Sequence, residues 1–331
     1  MVHFSMILRI LLFLVFAPIF MHARGKVIWE QVQPNLEPPW LTGPLIAPAS
    51  RIVPWGHYNI EPYLFCIAYT GTYNSRWQVT DASTFWNNSL VFLTQIGLSP
   101  WMNLTLTPTL IWNDCQHQTS WQIGDMWMGF DIQLYKSRQD FWIPSVKLSL
   151  KENIPFGKYR HLNPKKLMTD AGGVGSWATN AGLVFGNLYH FYSVYYLAYR
   201  LALNYVLPAP VRLKGFNYYG GGYGTNARFF PPENFQTDLA FEVTLAQTWA
   251  FAIDFIGYWA GKGHFNGVRG VNAAGASAKL GRGSQAQFSL APAIEYNWNP
   301  NLGMIAGSWF TFAGRKAPAF ASAVIALNYY K

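Results

Sequence analysis

Between Asn234 and Trp259 the chain alternates with period two. Phe235, Thr237, Leu239, Phe241, Val243 and Leu245 fall on one side, and Gln236, Asp238, Ala240, Glu242, Thr244 and Ala246 on the other. Successive side chains of a strand point to opposite faces, so this stretch carries one apolar and one polar face. After a break at 246–248 the pattern resumes: Trp249, Phe251, Ile253, Phe255 and Trp259 share a side, with Asp254 opposite. The spacing predicts a long antiparallel hairpin with a very short turn. One such hairpin would suit a soluble sandwich. Its recurrence along the chain and the length of its strands point elsewhere.

Twelve alternating segments are predicted. The hairpin supplies the eighth and ninth; the others are 57–69, 89–98, 102–113, 121–135, 141–154, 176–190, 194–205, 285–298, 303–312 and 320–331. The third is very regular, setting Met102, Leu104, Leu106, Pro108, Leu110 and Trp112 against Asn103, Thr105, Thr107 and Thr109. The eleventh is ambiguous in facing. The connections at 99–101, 137–140, 192–193, 246–248 and 299–301 are short. Most of those on the opposite side are expected to be long, above all 157–175, 207–233 and 261–284. Short turns at one end and long loops at the other predict an all-β, antiparallel, up-and-down transmembrane barrel of about twelve strands. Its turns would face the periplasm and its loops the exterior.

Composition agrees. The 331 residues are 51% hydrophobic and 18% aromatic, with only 12% charged, against about 25% charged in a soluble domain. After the first two dozen residues no apolar run approaches the ~18 residues a spanning helix needs. Apolar content that alternates therefore favours strands over helices as the spanning elements. Trp121, Trp142, Trp249, Trp298 and Tyr329 fall at strand ends, where rings with a polar tip suit the headgroup layer.

Residues 1–24 read as a secretory signal peptide: Arg9, then the apolar run Ile10 to Phe20, then small Ala23. Cleavage after Ala23 would remove only Arg9 and lower the formal charge from +9 to +8. The scattered bases show no nucleic-acid-binding fold, so a nucleic-acid partner is not expected. Residues 25–56 hold Pro34, Pro38, Pro39, Pro44, Pro48 and Pro54 and cannot form a central strand. They read as a periplasmic or plug segment ahead of a barrel at 57–331.

The polar faces carry Glu61, Asp125, Asp131, Lys147, Lys151, Arg200, Asp238, Glu242, Asp254 and Glu295. Facing lipid each would be costly, so in a barrel they are expected to line the pore. They could select solutes in a wet channel, or fill a narrow lumen by pairing with one another. No catalytic motif is present: His-Glu-x-x-His and Gly-x-Ser-x-Gly are both absent. Neither an enzyme nor a cofactor nor a metal site is expected. The two cysteines, Cys66 and Cys115, read as free thiols.

Several stretches resemble the outer-membrane family named for the meta-pathway of phenol degradation. They are Gly56-His57-Tyr58-Asn59-Ile60-Glu61-Pro62-Tyr63, Pro144 to Gly157, Gly173-Val174-Gly175-Ser176-Trp177, and the tail from Leu290 to Tyr330. Phe156 stands where the family usually has threonine. The resemblance implies an outer-membrane β-barrel of channel or transporter type. Together with the charged polar faces it leads to the expectation of a Gram-negative outer-membrane channel passing small solutes, apolar or aromatic among them, by passive diffusion. The alternative is a non-conducting surface barrel, adhesive or structural, acting through loops such as 207–233. Expected partners are outer-membrane lipid, with lipopolysaccharide a candidate at the basic loop 158–166, small solutes, and the barrel-assembly machinery. For that machinery Ala323, Ile325, Leu327 and Tyr329 offer the alternating tail, although the chain ends in Lys331 rather than an aromatic.

Overall fold

The computed structural model describes residues 40–137, 142–192 and 195–331. The predicted signal peptide and the first part of the proline-rich segment lie outside the described residues, as do Phe141 and Val194 and much of the turns at 137–140 and 192–193. The strands are β1 (Tyr58–Tyr73), β2 (Val79–Ser99), β3 (Met102–Thr107), β4 (Thr109–Cys115), β5 (Gln118–Ile123), β6 (Met126–Tyr135), β7 (Ser145–Ile154), β8 (Ala178–Tyr192) and β9 (Tyr195–Pro208). There follow β10 (Val211–Lys214), β11 (Asn226–Phe230), β12 (Asn234–Thr244), β13 (Trp249–Ala260), β14 (His264–Val268), β15 (Gln285–Asn299), β16 (Leu302–Arg315) and β17 (Pro318–Tyr330).

Fourteen of these form one antiparallel sheet that closes on itself where β1 pairs with both β17 and β2. β3 and β4 are one stave interrupted at Pro108, and β5 and β6 one stave interrupted at Gly124 and Asp125. The wall is thus a twelve-stave barrel. Proline removes a ladder donor, but the Pro108 carbonyl still accepts the Phe92 N–H at 3.0 Å, so the stave bends without leaving the sheet. Closure removes the sheet edges that lipid could not satisfy.

The side-chain alternation sets the two faces as expected. On β12, Asp238, Ala240, Glu242 and Thr244 are buried inside while Val243 is exposed outside; on β13, Ala250, Ala252 and Asp254 are inside, and Trp249, Phe251 and Phe255 outside. Trp249 and Trp259 lie ten positions apart on β13. At about 3.3 Å per residue and a tilt near 40°, that spacing covers roughly 25 Å of height, the thickness of an apolar band. Trp142, Trp249, Trp298 and Tyr329 are exposed near the turn end and Trp121 near the loop end. The facing of β16 is settled by Ile305, fully buried inside, and Phe312, exposed outside beyond a register shift at Phe288/Ser289.

Three sequence expectations are corrected. The second strand begins at Val79, ten residues before the expected 89, and the first runs on to Tyr73. Residues 79–84 are exposed on both faces; a strand standing in water on both sides has no reason to alternate, so its pattern was silent. For the same reason only three of the six upper connections are long. The links 74–78, 116–117 and 316–317 are tight, because the strands beside them carry on upward. The fifth strand starts at Ser145, since Pro144 before it has no N–H for the ladder.

β10, β11 and β14 form a separate three-stranded sheet above β9, β12 and β13, continuing that part of the wall beyond the Pro231–Pro232 break.

Candidate functional site: the barrel lumen

The lumen is not empty of protein. Residues 40–56 enter it and run across its inside as a strap, whose backbone donors are met by carboxylates on the far wall. Asp254 on β13 accepts the N–H groups of Leu45 (3.1 Å), Ile46 (3.4 Å) and Ala47 (2.8 Å). Glu295 on β15 accepts those of Thr42 (2.8 Å) and Gly43 (3.2 Å). The strap is proline-rich and irregular, so it cannot satisfy its own donors. Five of them are met by two buried acids, an arrangement that also gives each acid its partners in a poorly solvated place.

Other staves complete the seat. Arg200 on β9 donates to the Ala47 carbonyl at 3.3 Å and lies against Gly43, where a Cβ would stand 2.6 Å from its guanidinium. Gly43 also has φ +111°, a conformation that side chains resist, so both space and backbone call for glycine here. Asn297 binds both the Trp40 carbonyl and the Thr42 hydroxyl. Gln133 on β6 accepts the Ile52 N–H at 2.9 Å and donates to the Ser50 carbonyl at 3.1 Å, and Arg51 reaches the Ser137 carbonyl. At the exit a Cβ on Gly97 of β2 would overlap the Pro54 carbonyl.

The ten charged residues singled out from the sequence divide into groups. Asp131, Lys147 and Lys151 come together on β6 and β7. Lys147 Nζ stands 3.6 Å and Lys151 Nζ 3.8 Å from Asp131, which also accepts from the Thr105 hydroxyl at 2.8 Å. Arg200, Asp238, Glu242, Asp254 and Glu295 gather beyond β8, on β9, β12, β13 and β15, with Arg200 3.6 Å from Glu242. Both Asp238 oxygens are buried with no hydrogen-bond partner among the described residues. Glu61 stands apart at the turn end, held by Asn59, Tyr63 and Asn328. Asp125 is apart at the loop end: it accepts the N–H groups of Gly157 and Val174 and so pins the long loop 155–177.

The sequence reading missed the apolar half of the lumen. Leu45 of the strap packs in a buried cluster with Ile256, Ala291, Ala293, Ile305, Val324 and Ala326, flanked by Tyr63, Phe65 and Trp309. Tyr63 and Phe65 stack at 5.6 Å, and Trp309 meets Phe320 edge-on at 4.8 Å. Trp309 keeps its indole N–H satisfied on Ser289 at 2.9 Å. The lumen is therefore two-sided. β1, β16 and β17 bring mostly apolar and aromatic groups; β6, β7, β9 and β12 bring the charges; β13 and β15 carry both. A signal was present in Tyr63 to Tyr69, where both faces of the strand are largely apolar although only one can meet lipid.

Between the strap and the β8–β9 wall a cavity of about 680 Å³ remains, lined by Trp40, Ser50, Arg51, Asn187, Arg200 and Glu242. It is large enough for a small organic molecule.

This architecture is that of an outer-membrane β-barrel, the class defined by the closed twelve-stave wall, the apolar exterior and the charged groups kept to the interior. No protein-family model matches the chain, and no curated protein matches it in sequence. Among solved structures it is similar to the COG4313 outer membrane channel from Pseudomonas putida F1, at 12% identity, over 88% of this chain and 100% of that one, with a TM-score of 0.64. Looser likenesses are to the beta domain of the Bordetella autotransporter BrkA (8% identity, 82% and 98% of the two chains, TM-score 0.45) and the NanC porin (7%, 82% and 99%, TM-score 0.41). At these identities the shared property is the fold.

Proposed function

We propose that this chain is a bacterial outer-membrane channel through which small solutes, apolar and aromatic ones among them, diffuse passively past residues 40–56. In this reading the strap is a plug, and Glu61, Asp131, Lys147, Lys151, Arg200, Asp238, Glu242, Asp254 and Glu295 line the path, with Asp125 at its outer rim. The chain then does no chemistry. The observation that carries the reading is the two-sided lumen. An apolar arc at Phe65, Ile305, Trp309 and Val324 faces a charged arc across a strap held by side chains rather than by ladder pairing. The alternating tail residues Ala323, Ile325, Leu327 and Tyr329, all exposed outward, are the surface we assign to the barrel-assembly machinery.

The strap favours a second reading, a non-conducting barrel that acts through its loops. Reconstitution separates the two. Liposomes carrying the folded protein should admit small aromatic solutes faster than empty ones, and a variant with a weakened strap should admit them faster still. A barrel that stays sealed in both forms would leave the loop reading in place and remove the channel.

A further inference from the structure

The three-stranded loop sheet has two unlike faces. Val211, Leu213 and Phe229 are buried against Tyr159, Tyr219, Phe265 and Leu280, and Ala227 is buried on the same face. The other face is open, and it carries Arg212 and Lys214 on β10, Asn226, Arg228 and Phe230 on β11, and His264, Asn266 and Val268 on β14. It therefore holds three permanent cations and no acid. Arg212 stands directly opposite Arg228 in the register. Like charges facing each other across neighbouring strands are destabilising, and neither arginine has an ion-pair partner among the described residues.

The open face is the upward continuation of the lipid-facing wall. One groove runs from Tyr205, Phe235 and Trp259 at the top of the barrel exterior to Phe230, Lys262 and His264. The rings climb it in order: Phe235 stacks on Trp259 at 6.0 Å, Phe230 stacks on His264 at 4.5 Å, and the Arg228 guanidinium lies 5.3 Å from the Phe230 ring centre. The one carboxylate in the groove, Glu233, is engaged by the Tyr205 hydroxyl. A ligand seated here would meet apolar wall, then an aromatic layer, then a row of unpaired cations. That sequence matches an acyl chain, a sugar headgroup and its phosphate.

We infer that the outer face of this loop sheet, centred on Arg212 and Arg228, binds the phosphorylated glycolipid of the outer leaflet, lipopolysaccharide, through its lipid A phosphate. The position is distinct from the basic loop 158–166, where Lys158 is already paired with Asp170 at 2.6 Å. It also lies outside the lumen, so it is independent of the channel reading. Arginine forks bind phosphate oxygens in pairs, and two forks side by side suit one phosphate group.

The test uses the full chain, folded and purified in zwitterionic detergent with EDTA present, and titrated with lipid A carrying both phosphates. Retention is read by native mass spectrometry. The wild type should retain the lipid, and Arg212→Gln/Arg228→Gln should weaken retention roughly tenfold or more, the scale expected for losing charge-assisted phosphate contacts. Arg228→Gln alone should give an intermediate loss, and provides the answer if the double variant fails the heat-modifiability check for a folded barrel. Channel conductance should be the same in all three. Equal retention by wild type and a folded variant would overturn the assignment, as would equal retention of dephosphorylated lipid A. Binding of inorganic phosphate as tight as that of lipid A would overturn the lipid as ligand.

Discussion

Asp254 accepts the backbone N–H of Ala47 at 2.8 Å across 207 positions of chain. With the Leu45 and Ile46 donors on the same carboxylate, this contact fixes the strap at mid-lumen. Hydrogen bonds to a charged acceptor contribute about 1.5–3 kcal/mol each. With three such bonds, Asp254→Ala should weaken strap docking by about 4.5 kcal/mol or more, over about a thousandfold in the docked-to-free ratio. Planar-bilayer recordings should show more frequent or larger openings. Unchanged recordings from a folded variant would show that the strap does not control the path.

Locking the strap should do the reverse. A Cβ placed on Gly303 would collide with the Thr42 hydroxyl, so the two backbones lie close enough for a short cross-link. Thr42→Cys/Gly303→Cys, with Cys66 and Cys115 replaced by serine, should form a disulfide under oxidation. Solute uptake into liposomes should then fall, and a reductant should restore it.

The lumen acids outnumber the lumen bases. Glu61, Asp131, Asp238, Glu242, Asp254 and Glu295 face Lys147, Lys151 and Arg200 of the wall and Arg51 of the strap. Whatever conducts should prefer cations over anions, and reversal potentials in a salt gradient will show it. Arg200→Gln removes the base nearest the acid cluster. It should raise cation preference while also loosening the strap at Ala47 and Gly43.

Gly97 gives a steric test. Because a Cβ there overlaps the Pro54 carbonyl, Gly97→Val should push the strap away from β2 where it leaves the lumen. Limited proteolysis should cut within 40–56 at least about tenfold faster than in wild type, since cleavage tracks the population of the opened segment.

The wall was readable in the chain because a strand between lipid and water must alternate. Asp238, Glu242 and Asp254 opposite Phe241, Val243 and Phe255 could be faced correctly from the pattern alone. Where both sides are wet, as at 79–84, the pattern carries no facing, and there the reading failed. At Tyr63 to Tyr69 the facing held, but the apolar character of the inner face was not read as lumen. The seat of the strap was invisible for another reason. Its donors are main-chain N–H groups, which every residue but proline possesses, so nothing in Thr42 to Ala47 marks which acid they will find. The acids were visible, but their partners were expected to be side chains or water.

The strap also constrains the order in which the molecule is made. Its residues precede every stave in the chain, yet their partners sit on β6, β7, β9, β13 and β15, and the ring closes through the β1–β17 ladder, which Tyr58 and Lys331 extend by bonds of 2.7 and 2.9 Å. The strap therefore finds its full set of partners only after β15 has been made. A half-built ring would expose both an unfilled interior and an unseated strap.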